Sequence, residues 1–585
     1  MINLKINGIP VQAAEGDTIL ETAKKVNIKI PTLCYNPDLP AWASCGICIV
    51  RMAGSPRMVR ACTTPVDGSM EGKEIITHDA EIIATRRTVL ELILSNHPND
   101  CLQCPRNGSC ELQTLAEEFG IREAPYKKVM NGLSVDDSNP AIILNPEKCI
   151  RCGRCVKVCQ EVQNVWALEF LGRGIKGRIA SAADAPLGES PCIKCGQCAA
   201  HCPVGAIYER DDTVKVWNAL HNPQQHTVVQ IAPAVRVALA EEFGLEPGTV
   251  FTKKIYAALR RLGFKTVFDT NFSADLTIME EGTELVKRLT EKGDIPLITS
   301  CCPAWVDYME KYYADMIPNF STAKSPQQMM GAMIKAYWAD KAGVDPDTVY
   351  SVSVMPCTAK KWETRRNDDM KSAGHGYDVD IVITTRELAR MIKQAGIDIL
   401  KLPDEEADNP LGPYTGAGTI FGVTGGVMEA AVRSAYFLVT GKELSDVNFK
   451  PARGLEGVKE AEVDFNNGTK IRIAIAHQMG NIAAVLDKIR AARDSGRETP
   501  YHFVEVMACR GGCIGGGGQP YGCTDIIREQ RTSGIYADDE KSLYRCSHQN
   551  PFINQVYQEF LDEPNGHKAH ELLHTSYVER PLYVK

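Results

Sequence analysis

The sequence predicts a multidomain α/β protein, with three small cysteine-rich modules followed by one large α/β domain. Three observations carry this. The chain has 585 residues, which at about 100–200 residues per domain suggests three to five domains. Fifteen of its 22 cysteines fall within the first 202 residues. From residue 226 onward, β-rich runs (TVVQIA, KTVFD, DIVITT, IRIAIAH) alternate with helical patterns (TKKIYAALRRLG, GTELVKRLTEK). That alternation is the order of an α/β domain with at least partly parallel sheet. A hydrophobic content of 44% supports buried cores. The net charge of −8 argues against a nucleic-acid binder, which usually carries a basic face. No apolar run nears the ~18 residues of a membrane span, and MINLKINGIP alternates like a strand rather than a signal peptide. A cytoplasmic chain with no membrane partner is expected.

Residues 1–79 read as one small domain. Ile2, Leu4 and Ile6 alternate, Asn7-Gly8 signals a hairpin turn, and Val11 opens a second strand. Asp17 or Thr18 can cap a short helix reaching Val26. Strand, turn, strand, helix and then a cysteine loop is the order of a plant-type (β-grasp) ferredoxin. Residues 80–120 form a second module. A helical stretch at 80–95 leads to His97, Cys101, Cys104 and Cys110, and a second helix follows at 111–119. Residues 120–145 are polar and read as a linker, and a third module is expected over 140–210. The large domain takes 220–585.

Clustered thiols at short spacings in a chain without a secretion signal point to metal ligands rather than disulfides. Cys149, Cys152, Cys155 and Cys159 have the spacing C-x2-C-x2-C-x3-C, and Cys192, Cys195, Cys198 and Cys202 repeat it. One turning loop offers three thiolates to a 4Fe–4S cube, and the cysteine after x3 serves the other cube. Cys149, Cys152, Cys155 and Cys202 are therefore expected to hold one cluster, and Cys192, Cys195, Cys198 and Cys159 the other. Zinc would pair C-x2-C with a distant pair, not with a triplet. Cys34, Cys45, Cys48 and Cys62 have a longer first gap than the plant spacing C-x4-C-x2-C. The strand–helix pattern before them favours a 2Fe–2S site over structural zinc. His97 precedes a triplet lacking a nearby fourth thiol; from spacing alone it is either a ligand or a cap residue. Cys301-Cys302 in TSCCP, Cys357 in MPCTAKK, and Cys509 and Cys513 in ACRGGC are too far apart for a ferredoxin loop. They suit a site built inside a core, and Gly515 to Gly518 would let the backbone pass something bulky. Buried thiols and glycines serving only packing are the plain alternative.

TSCCP, MPCTAKK and ACRGGC behind a ferredoxin-like front half resemble the iron-only (FeFe) hydrogenases of the large modular kind, over essentially the whole chain. The likeness extends to the catalytic subunit of multimeric NADP-reducing hydrogenases. It implies reversible oxidation of H2 at a six-iron H-cluster. In that cluster a 4Fe–4S cube on Cys302, Cys357, Cys509 and Cys513 is bridged through Cys513 to a two-iron subcluster carrying CO, cyanide and a dithiolate amine. It also implies one 2Fe–2S and three accessory 4Fe–4S clusters, with His97 as a ligand. These sets use 19 of the 22 cysteines and leave Cys301, Cys523 and Cys546. By resemblance Cys301 exchanges protons with the two-iron site, and the relay continues through Glu281, Ser321, Glu284 and Arg288. Without the resemblance, Glu281 and Glu284 in IMEEGTEL read as a solvated helix face. Lys360 would donate to a cyanide, Met355 and Met507 would pack around the subcluster, and Pro233 and Phe421 would line the pocket. Ala234 departs, standing where the family often has serine, although its backbone N–H remains. Cys523 and Cys546 read as structural.

Two rival readings share part of the sequence. The front half alone fits an electron-wire subunit of a complex I-like or formate dehydrogenase system, but the cysteines after 300 do not. Hydrogen-sensing and iron–sulfur assembly relatives are the second rival, and the presence of Cys301, Lys360 and both glutamates favours turnover. GAGTIFG at 416–422 reads G-x-G-x-x-x-G without a βαβ opening and is taken as a false dinucleotide signal. Nicotinamide chemistry is therefore expected on a flavoprotein NAD(P)-binding subunit, with small 2Fe–2S subunits and ferredoxin as further candidate partners.

Overall fold

The first module grows from a tight hairpin. β1 (Ile2–Ile6) and β2 (Ile9–Ala13) pair antiparallel, with Ile6 opposite Ile9. Asn7 and Gly8 take the turn at φ 47° and 82°, the positive-φ pair that an Asn-Gly turn supplies. Thr18 caps α1 (Ile19–Lys25) through a capping box with Glu21. β3 (Ile49–Met52), β4 (Met58–Arg60) and β5 (Glu74–Ile76) complete a five-stranded sheet in the order β2-β1-β5-β3-β4, with β1 and β5 parallel. This computed structural model describes residues 1–291, 293–465, 468 and 470–584.

α2 (Ala80–Ser95), capped by Asp79, and α3 (Glu111–Glu118) flank the His97 segment as expected. The next module carries β6 (Ile142–Leu144), β7 (Glu169–Leu171), β8 (Arg178–Ala180) and β9 (Ile207–Glu209) as two antiparallel pairs, β6–β9 and β7–β8. The internal repeat survives in backbone detail. Arg151 and Lys194 sit at φ 58° and 59°, and Gly153 and Gly196 at φ 79° and 71° start α4 (Arg154–Lys157) and α5 (Gln197–His201). The polar stretch expected as a linker is not free at its end. Asn139 is fully buried, its side chain reaches to 3.5 Å from Cys192 Sγ, and the chain then enters β6.

The large domain holds two sheets. After α6 (Thr213–His221), the first uses β10 (His226–Ile231), α7 (Thr252–Leu262), β11 (Thr266–Asp269) and α8 (Thr270–Thr290). The chain crosses to β12 (Leu297–Ile298), α9 (Pro303–Tyr312) and α10 (Pro326–Met333), which runs through a wide turn into α11 (Ala339–Ala342). It returns through β13 (Val349–Met355), α12 (Ala359–Glu363), β14 (Ile381–Thr384) and α13 (Thr385–Gln394). The order β11-β10-β13-β14 is wholly parallel. α14 (Gly416–Ile420) and α15 (Gly426–Thr440) lead to β15 (Val458–Asp464), β16 (Lys470–His477), α16 (Met479–Asp494) and β17 (Phe503–Met507). The second sheet, β12-β17-β16-β15, is parallel except for the β15–β16 pair, and α17 (Asp525–Lys541) follows.

Candidate active site

In parallel sheets, ligand sites form beyond the carboxyl ends of the strands. Here two sheets point such ends at one place. β10 delivers Ala232 and Pro233, β12 delivers Cys301 and Cys302, β13 delivers Met355 and Cys357, and β17 delivers Met507 and Cys509. With Phe421, Gly512, Cys513 and Gly516 they line a cavity whose wall is otherwise apolar apart from Thr270, Gln327 and Lys360. Four thiols from positions 302, 357, 509 and 513 therefore converge, although 211 residues separate the first from the last. Burial, then the neighbouring thiols, pushes Cys357 and Cys513 up to about 12. Four thiols crowded into one apolar cavity cannot ionise together without a compensating cation, so the donor set suits an iron–sulfur cube. Backbone amides of Ala304, Trp305 and Ala508 are aimed at Cys302 Sγ and would support a thiolate there.

The glycines let the backbone pass close to its neighbours. A Cβ at Gly516 would stand 2.2 Å from Pro356 O, one at Gly515 2.2 Å from Arg510 O, and one at Gly517 2.4 Å from Cys195 O. The bulky neighbour is protein backbone, including the second ferredoxin-type loop. That loop is docked: Gln197 Nε2 donates to Cys509 Sγ (3.2 Å) and Gly515 O (3.0 Å), and Thr358 Oγ1 donates to Lys194 O (2.7 Å).

Cys301 lines the same cavity but has a carboxyl beside it. Burial first and the Glu281 carboxylate second hold its thiol well above the ordinary range. Glu281 is itself buried, and burial with Glu284 beside it raises its carboxyl to about 8. The Ser321 hydroxyl and Ser300 amide oppose that rise, yet neither Glu281 oxygen has a partner in full hydrogen-bond geometry. Ser321 Oγ donates to Glu284 Oε2 (3.1 Å), and Glu284 pairs with Arg288 at 2.6 Å. The solvated-face reading of this helix is thus overturned for Glu281, which is 1% exposed. Lys360 Nζ donates to Cys301 O (3.1 Å) and pairs with Glu363 at 2.9 Å. Glu363 was not singled out from sequence, although its i+3 position after Lys360 was a signal. Gln197, Gln327 and Thr358 carried none. Pro233, Met355, Phe421 and Met507 line the cavity. Ala234 does not: it is fully buried behind the wall, its carbonyl accepting from Gln519 Nε2 at 3.0 Å.

The front-half thiols lie in groups. Cys159 shares a second cavity with Cys192, Cys195 and Cys198. Burial first, then Cys149, Cys152, Cys202 and Cys198, hold the Cys155 thiol well above its ordinary range, so these thiols lie around it. Cys48 and Cys62 lie with their sulfurs 3.3 Å apart, and Cys34 adjoins Cys45 and Cys62. The long gap between Cys34 and Cys45 is a docking loop. Tyr35 O accepts from Arg154, Asp38 pairs with Arg528, Trp42 stacks on Phe170 at 5.6 Å, and Ser44 Oγ donates to Arg151 O. His97 is 7% exposed and its Nε2 has no partner. Its Nδ1 lies 3.2 Å from both Asn99 Oδ1 and the Asn99 backbone N–H, which fix the ring's orientation and leave Nε2 facing the cysteine triplet's module without a protein partner. A Cβ at Gly205 would stand 2.4 Å from Cys104 Sγ, so that thiol presses on the neighbouring module. GAGTIFG is no nucleotide loop: it forms α14, and Gly418 is needed because Asn271 O would lie 2.4 Å from a Cβ. No helix among the described residues is long and apolar enough to cross a membrane.

The description "Iron only hydrogenase large subunit, C-terminal domain" matches residues 225–517, and "Iron hydrogenase small subunit" matches 525–580. In the front half, a 2Fe–2S cluster binding domain matches 1–74, the NADH-ubiquinone oxidoreductase-G iron–sulfur binding region 86–125, and a 4Fe–4S dicluster domain 148–206. The chain is 47% identical to NADP-reducing hydrogenase subunit HndD of Solidesulfovibrio fructosivorans, covering 99% of both chains. It is 40% identical to iron hydrogenase 1 of Clostridium pasteurianum, over 99% of this chain and 100% of the other. Among solved structures it is similar to a variant of the FeFe-hydrogenase HydA1 of Chlamydomonas reinhardtii. The TM-score is 0.57 with 42% identity, covering 64% of this chain and 100% of that one.

Proposed function

Since the chain belongs to the iron-only (FeFe) hydrogenase family, as a catalytic subunit, we propose that it interconverts H2 with protons and electrons in the cavity between the two sheets. The observation that carries the reading is the convergence of Cys302, Cys357, Cys509 and Cys513 beside Cys301 and Lys360. Those four thiols would hold the cube of the H-cluster, with Cys513 shared with the two-iron part. When bound, this group supplies the site of H2 cleavage and the first electron acceptor. The apolar wall of Pro233, Met355, Phe421 and Met507 excludes water around it. Lys360, kept charged by Glu363, places a fixed positive donor at the rim. Cys301 passes protons to Glu281, and Ser321, Glu284 and Arg288 continue toward the surface.

Electrons would leave through Gln197 and the loop of Cys192, Cys195, Cys198 and Cys159, then the set of Cys149, Cys152, Cys155 and Cys202. The His97, Cys101, Cys104 and Cys110 module and the Cys34, Cys45, Cys48 and Cys62 module adjoin the latter. We read the modules as 1–79, 80–120, 140–210 and 220–585. The likeness to an NADP-reducing hydrogenase subunit supports a cytoplasmic complex with a flavoprotein NAD(P)-binding subunit and small 2Fe–2S subunits, with ferredoxin as a further acceptor. Infrared spectroscopy of anaerobically matured protein should show CO and CN stretches, and metal analysis about 20 irons, two in the 2Fe–2S cluster, twelve in three cubes and six at the active site. Iron near zero with several zinc ions per chain would reject the reading.

A further inference from the structure

We propose that Glu443, Cys546 and His548 form a binding site for a zinc-class divalent cation, remote from the cysteine sets above, which ties the end of α15 to the turn beyond α17. Cys546 is one of the cysteines the function does not use. One ligand atom from each of the three residues lies within 4.8 Å of the others. His548 is oriented as a metal-bound imidazole usually is. Its Nδ1 lies 3.2 Å from Ser434 Oγ, and its ring stacks on Phe437 with centroids 4.3 Å apart and planes 3° from parallel. With the Nδ1 proton donated to Ser434, Nε2 and Glu443 Oε1, 3.1 Å apart, are two electron-pair donors that a cation between them would reconcile.

Cys546 is 1% exposed, and among the described residues nothing hydrogen-bonds its thiol. Burial pushes this thiol up to about 11 against the opposing charge of Arg433 and Arg545, so in the absence of a cation it keeps its proton. A His548–Glu443 ion pair accounts for two of the three groups and leaves this thiol unused. One thiolate, one imidazole and one carboxylate select a zinc-class ion and disfavour calcium and magnesium, which take oxygen ligands. The Glu443 side chain is 53% exposed, so it can close the remaining spread and leave a fourth position to water. Binding requires the thiolate, so each cation bound releases the Cys546 proton. The site also bears on the proton-carrying helix: Ser547, between two of the ligands, donates to Asp275 on α8 (2.8 Å), and α15 packs along α8.

The test uses the matured holoenzyme, incubated with excess zinc, desalted, and assayed for zinc and iron together. The expected result is one zinc per chain in the parent and none in Cys546→Ser or His548→Gln, with iron unchanged. Zinc-edge X-ray absorption should then show one sulfur at about 2.3 Å and nitrogen or oxygen at about 2.0–2.1 Å. Glu443→Gln, on an exposed side chain, should weaken zinc at least tenfold in competition with a chelator; it decides the matter if the buried variants lose iron. No retained zinc in the parent, or equal zinc in the parent and Glu443→Gln at every chelator concentration, overturns the proposal.

Discussion

Cys301 and Cys302 are neighbours in the chain and line one cavity, yet they meet different chemistry. Cys302 receives backbone amides from α9 and from Ala508, whereas Cys301 has, after burial, Glu281 as the strongest influence on its thiol. Cys301→Ala should therefore lose turnover by at least ~10²–10⁴-fold, the usual contribution of a proton-transfer group, while keeping the CO and CN bands. Cys302→Ala should lose the bands themselves. Parent-like H2 turnover in Cys301→Ala would return that thiol to a packing role. Glu281 gives a second, independent handle. Its carboxyl ordinarily titrates near 4.5 and is raised to about 8 in the fold. Between those values the folded chain keeps a proton that the unfolded chain has lost, so stability falls as pH rises through that window and is fully present only below about 4.5. Glu281→Gln removes the penalty on ionisation. Its thermal midpoint should exceed the parent's by more at pH 8 than at pH 6, although its turnover drops. A gap independent of pH would place the Glu281 carboxyl in water.

At the level of elements, the cysteine loops were readable because a cube fixes both spacing and backbone. The two triplets share residue spacing, positive φ at Arg151 and Lys194, and a glycine start to the following helix. The loop at 35–44 was readable only as a departure from spacing. Its purpose, holding three other parts of the chain, depends on partners as distant as Arg528. The Gly-rich run at 515–518 was readable as close passage beside something bulky, and at Gly515, Gly516 and Gly517 a Cβ would meet carbonyls of Arg510, Pro356 and Cys195. A side chain at Gly517 would push Cys195 and Gln197 away from Cys509. Gly517→Ala should then slow dye-linked H2 oxidation while leaving H2/D2O exchange, which needs no electron to leave, closer to the parent. Equal loss of both activities would show that the glycine supports the cavity rather than the electron path.

Across the whole molecule, the domain order was legible and the active site was not, because no local pattern says that four strand ends from two sheets meet. Cys302 and Cys513 become neighbours only when β12 and β17 lie side by side and β13 faces them. The acceptor question also belongs to this scale. The one glycine pattern resembling a dinucleotide loop is the helix α14, pressed against Asn271 and Asp539 with no space for a pyrophosphate. A dinucleotide site needs its glycine turn open at a helix start beyond a strand, and Thr415 Oγ1 already occupies the amide at the start of α14. The chain alone should therefore exchange electrons between H2 and artificial dyes but leave NADP unreduced at any useful rate. The exit should lie at the front-half modules, where Leu102 stands 92% exposed between Cys101 and Cys104. Adding a flavoprotein subunit should restore NADP reduction, and Leu102→Glu should impair that coupled reaction more than the dye reaction if this tip is where the partner docks. Hydride transfer to NADP by the isolated chain would overturn the assignment of nicotinamide chemistry to a partner.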